Sequence, residues 1–147
     1  MATKEDKNLA FLTHLSGFGG YVFPLGSIII PLIIWETKKE ESKFIDDNGK
    51  EAINFNLSYL LYTILLGMSS FPFFVGSFFR NLRNEIIDFN HFDFHFNFSS
   101  NHLFGIFSIA SLISILAIGK IILIIMAAMS AHKGEAVKYP LTIKFIK

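Results

Sequence analysis

Apolar residues fall in three long blocks: Leu9 to Trp35, Ala52 to Phe79 and His102 to Ala131. Charged residues gather in 4–7, 36–51, 80–93 and 133–147, and the stretches between are nearly free of them. Blocks of this length match the roughly 30 Å hydrocarbon core of a bilayer better than one face of a soluble helix. The pattern predicts membrane helices.

The first block is interrupted. As one straight helix it would span about 40 Å, but its middle reads Gly17-Phe18-Gly19-Gly20-Tyr21-Val22-Phe23-Pro24-Leu25-Gly26-Ser27. Four glycines and a proline argue against a continuous helix there. Two short helices are expected, about Lys4–Gly17 and Ile28–Lys38, with Ser27 as N-cap and Pro31 in the first turn. In the second block, Asn48 and Glu51 have capping-box spacing and Pro72 is expected to kink or end the helix. The third block is broken only by Lys120, and Gly134 stands where a helix-ending glycine belongs. The fold class read from this is an all-α membrane protein. It has a helical hairpin (4–38), a cytoplasmic loop (39–50), transmembrane helices over 51–79 and 102–132, a Phe-rich extracytoplasmic loop (80–101) and an interfacial C-terminal tail (133–147).

Charge sets the orientation. If the first block turns back on itself, ten basic residues share one side: Lys4, Lys7, Lys38, Lys39, Lys43, Lys50, Lys133, Lys138, Lys144 and Lys147. Only Arg80 and Arg83 lie opposite. The positive-inside rule then places both termini in the cytoplasm, in a multi-pass protein of a bacterial cytoplasmic (inner) membrane. Each hairpin arm is about 18 Å long, short for a full crossing, so re-entrant and spanning hairpins both stay open.

Composition agrees: 52% of residues are apolar and 17% charged, against about a quarter charged in soluble domains. The net charge of +1 gives no pull toward nucleic acid, and the absence of cysteine removes disulfides and thiol chemistry. The polar, mixed-charge start lacks the features of a signal peptide and is expected to be retained. No phosphate loop, nucleotide fingerprint or nucleophile triad is visible, so neither an enzyme nor a cofactor is expected.

Several residues remain as candidates. From His91 to Phe98 the chain alternates, which as a strand puts His91, Asp93 and His95 on one face and Phe92, Phe94, Phe96 and Phe98 on the other. Three such ligands on one side could hold a metal. The plainer reading is a ribbon at the membrane boundary, and a third is an edge for a partner strand. Lys120 is an intramembrane charge, costing about 3 kcal/mol on insertion scales. It either faces a polar interior or path, or snorkels or pairs with a carboxylate. His14 is a relay candidate, or a histidine bonded to nearby backbone. Glu51 and Asn54 share a helix face with Ser58 and could bond into the hairpin, with a structural role the plainer reading. Ser108, Ser111 and Ser114 make a small-residue stripe suited to helix packing, within the chain or between copies. The tail from Tyr139 mixes aliphatics with lysines, as suits an anionic membrane surface or a segment packed on the first loop.

Taken together, His14-Leu15-Ser16-Gly17, the run Pro24 to Trp35, Asp46-Asp47-Asn48-Gly49-Lys50-Glu51-Ala52-Ile53-Asn54-Phe55 and the end from Ala131 to Lys147 resemble a bacterial family of small membrane proteins of unknown function. That family is grouped with Tic-twenty-like proteins, relatives of a chloroplast inner-envelope protein-import component. The resemblance covers about 8–68 and 103–147 and implies a four-helix membrane domain with no catalytic residues. The long Phe-rich loop and Lys120 depart from its pattern. The function expected is a non-enzymatic binding or scaffold module, an accessory subunit of a membrane complex, linked to protein translocation or envelope biogenesis. Its partners are the bilayer and other membrane proteins or further copies of itself. The alternative is a small oligomeric transporter or channel, built on the Gly/Pro break and Lys120. An enzyme acting on lipid ranks third.

Overall fold

The computed structural model describes residues 2–87 and 100–147. Its order is α1 (Lys4–Leu15), a short 3-10 turn (Ser16–Tyr21), α2 (Gly26–Lys38), α3 (Lys43–Ile87) and α4 (Ser100–Lys133). Among the described residues there is no strand, and the protein is all-α, as its pattern predicts. The Phe92–Phe98 ridge and the His91, Asp93 and His95 set lie outside the described residues.

Two segments are long and apolar enough to cross a membrane, Lys43–Pro72 and Phe107–Lys133. The second is almost wholly unburied although strongly apolar, the reverse of a core helix in a soluble protein.

The chain divides into two compact units, Met1–Leu61 with Ala117–Lys147, and Tyr62–Leu116. In the second unit Ile64, Leu65, Met68, Phe71, Leu112 and Ile113 are exposed, as suits helices surrounded by lipid. Ser108, Ser111 and Ser114 are exposed there too.

The first unit holds the core. Phe55 of α3, Ile124 and Ala127 of α4, and Tyr139 of the tail are buried together, with Leu15, Phe18, Leu123 and Val137 packed around them. Helix α1 starts at a capping box: Thr3 Oγ accepts from the Asp6 amide and Asp6 accepts from the Thr3 amide. The glycine-rich break then lets α1 and α2 meet around the 3-10 turn. Gly19 and Gly26 touch backbone to backbone, and a Cβ on Gly26 would collide with the Gly19 carbonyl. At its far end α2 is fastened to α3 by Trp35, whose Nε1–H donates to Asp46 at 2.8 Å. Lys50 donates to the other oxygen of that carboxylate at 2.6 Å, and the Trp35 ring lies on Gly49.

Several local expectations are corrected. Ser27 is not the N-cap of α2. Leu25 takes that place in the left-handed region (φ 63°), its carbonyl accepting from the Ile28 and Ile29 amides. Pro31 consequently lies inside α2 rather than in its first turn. Asn48 caps nothing, because α3 begins at Lys43 and Asn48 sits within it. Of the kink or end expected at Pro72, the end does not occur, since α3 runs on to Ile87 with Pro72 inside it. Gly134 does end α4: at φ 88° it closes a Schellman turn, with Glu135 N–H on the Ser130 carbonyl and Gly134 N–H on that of Ala131.

Candidate functional site

Polar residues on an otherwise apolar helix need partners, since an unpaired buried amide or hydroxyl costs a few kcal/mol. Helix α3 carries five such residues near its start: Asn48, Glu51, Asn54, Asn56 and Ser58. All but Glu51 are buried to 2% exposure or less. Glu51, Asn54 and Ser58 recur at helical spacing and form one face. The C-terminal tail lies along that face and supplies their partners.

Tyr139 N–H donates to Glu51 at 2.8 Å. Ile143 N–H donates to Ser58 Oγ at 2.8 Å, while the Ser58 hydroxyl donates to the Asn54 carbonyl. Asn54 makes the densest contact. Its Oδ1 accepts from the Phe145 and Ile146 amides at 3.0 and 2.8 Å, and its Nδ2 donates to the Ile146 carbonyl at 2.9 Å. The tail forms neither helix nor strand, and at these positions helix side chains satisfy its backbone. The tail is therefore seated on α3. Glu51 and Asn54 bond the tail, not the hairpin, and no capping role accounts for Glu51.

His14 ties α1 into the same cluster. Its ring is wholly buried, with Nε2 at 3.0 Å from Asn48 Oδ1 and Nδ1 at 3.0 Å from the Tyr139 hydroxyl. Asn48 Nδ2 already donates to the Phe44 carbonyl, so its Oδ1 is an acceptor. The network therefore assigns the proton to His14 Nε2 and makes Nδ1 the acceptor of the Tyr139 O–H. The Tyr139 ring stacks on Phe55, centroids 3.9 Å apart, and meets His14 edge-on. Burial pushes the His14 pKa down from 6.5 to about 4, with the Asn48 bond a smaller opposing influence. Burial also raises the Tyr139 phenol above its ordinary value, assisted by the nearby Glu51 carboxylate. Both groups are neutral at pH 7. His14 bonds side chains from two distant segments rather than local backbone.

Lys120 lies elsewhere in the same unit. It is buried, and its ammonium sits 4.4 Å from the centre of the Tyr59 ring, in cation–π geometry. Among the described residues no carboxylate pairs with it. Among the described residues no group of three metal-ligating side chains is gathered. Sequence reasoning missed Tyr139, Asn48 and Trp35 as organising residues. The one legible signal was the repeat of polar side chains at 51, 54 and 58.

Beside the seated tail lies an open groove of about 560 Å³ between the start of α3 and the tail, with Lys50, Lys138, Lys144 and Lys147 among its lining residues. The arrangement offers hydrogen bonding, a fixed surface and positive charge, and gathers no nucleophile with a base.

The model of the magnetosome magnetite crystal formation protein family matches residues 5–146. No curated protein and no solved structure matches. The expectation of a small membrane-protein family holds, and nothing in these comparisons links the chain to the Tic-twenty-like proteins.

Proposed function

We propose a function from one premise: this chain belongs to the magnetosome magnetite crystal formation protein family. It is a membrane-associated protein, and in our reading a non-enzymatic accessory component of the membrane in which magnetite crystals form. The observation that carries this is a family match covering nearly the whole chain, hairpin, both long helices and tail included. The geometry supports a scaffold: the first unit is a fixed platform in which the tail, α1 and the start of α3 are locked by a buried network. A role in protein translocation has no support beyond the resemblance.

The same platform favours one topology. Phe11 of α1 meets His132 at the end of α4, and the tail lies on the start of α3. In this reading both termini lie on the lysine-rich side, with α1 and α2 at that face.

A magnetite-forming host lacking the gene is expected to make crystals altered in number or dimensions, restored by the wild-type chain. Unaltered crystals in electron micrographs would overturn the reading. The transporter alternative rests on the Gly/Pro break and the buried Lys120, and Lys120→Met separates a scaffold from a carrier that uses the charge. A scaffold variant still restores crystals, whereas a carrier that needs the charge fails while remaining folded in the membrane.

A further inference from the structure

We infer that the groove between the tail and the start of α3 binds the phosphate of an anionic phospholipid headgroup.

The charges point to an anion. The groove is lined by four lysines and two carboxylates. Asp47 is paired with Lys43 at 2.9 Å, while Glu51 accepts from the neutral Tyr139 amide and keeps its charge. Lys50 is engaged with Asp46. Lys138, Lys144 and Lys147 have no ion pair among the described residues and lie exposed at the groove. Three lysines without an ion pair, lining one concavity in excess of the Glu51 carboxylate, suit a phosphate group.

The surroundings point to lipid as its source. The groove stands where one candidate membrane span begins and the other ends, the level at which headgroups lie. The same tail carries Leu141, Ile143 and Phe145 exposed, Leu141 at 85%. Apolar side chains beside lysines fit a segment with its aliphatics among acyl chains and its charges among phosphates. Seating by Asn54 and Ser58 holds the backbone that carries Lys144 and Lys147 in place before binding, which lowers the ordering cost of capture.

The inference rests on the membrane placement given under Proposed function and on nothing about crystals. A failure of headgroup binding leaves the crystal phenotype standing, and the reverse holds. The test is native mass spectrometry of the full chain in mild detergent, titrated with phosphatidylglycerol, phosphatidylcholine or inorganic phosphate. One phosphatidylglycerol should be retained with at least tenfold preference over phosphatidylcholine. The K138Q/K144Q/K147Q variant should lose that preference, and the K138R/K144R/K147R variant should keep it. Equal retention of both lipids, or a preference that survives in the glutamine variant, overturns the proposal. Displacement of the lipid by inorganic phosphate at equal concentration also overturns it, and assigns the groove to free phosphate instead.

Discussion

Acidification from pH 7 to pH 4 is expected to remove on the order of 3 kcal/mol of folding stability through His14 alone. The folded pKa is about 4 and the unfolded value 6.5. Between those values the unfolded chain binds a proton that the folded chain refuses. This contribution is therefore fully present above about pH 6.5 and is lost progressively as pH falls toward 4. A proton on Nδ1 would face the Tyr139 hydroxyl, which now donates to it, inside a site closed to water. The measurement is the unfolding midpoint in detergent across this range, for wild type and His14→Leu. The variant starts lower, because Asn48 and Tyr139 lose their partner, but its midpoint should be much flatter with pH. An equal slope in the two proteins would rule out His14 as the source.

Gly26→Ala is expected to cost several kcal/mol, at or above the usual range for overpacking. The added Cβ would strike the Gly19 carbonyl oxygen and lie 2.6 Å from its carbon, with Phe23 also within 3.1 Å. Two of these neighbours are backbone, so no side-chain rotation relieves the clash. Gly119→Ala is the control. Nothing lies within 4 Å of its added methyl, and alanine favours the helix by about 1 kcal/mol. Thermal unfolding in detergent should place Gly26→Ala well below wild type and Gly119→Ala at or above it. Matching losses would show that the hairpin break is not closely packed.

The helical class and the blocks were legible because bilayer-length apolar runs leave a strong one-dimensional signal. Gly134 was legible for a similar reason, since a helix stop is decided within a few residues. The local misreadings came from competition between adjacent signals. Ser27 has the side chain of a cap, but close packing of Gly26 on Gly19 starts the helix earlier and forces Leu25 into the left-handed region. Asn48 has cap spacing to Glu51, yet α3 is extended upstream to Lys43, where Trp35 and Asp46 fasten it to α2. The tail's place was not legible, because Asn54 and Ile146 are joined by side-chain-to-backbone bonds that leave no periodicity. The polar face of 51, 54 and 58 announced that a partner was needed without saying which. Lys120 was legible as an anomaly, and its partner Tyr59, on another helix, was not.

That the tail is seated on α3 underlies the platform, the acid response and the groove alike. Amide hydrogen exchange of the full chain in mild detergent at pH 7 tests it most directly. The amides of Tyr139, Ile143, Phe145 and Ile146, which donate to Glu51, Ser58 and Asn54, should be protected in wild type. Those of Phe145 and Ile146 should lose protection in Asn54→Leu. Tail amides that exchange at the rate of an open chain in the wild-type protein would contradict it.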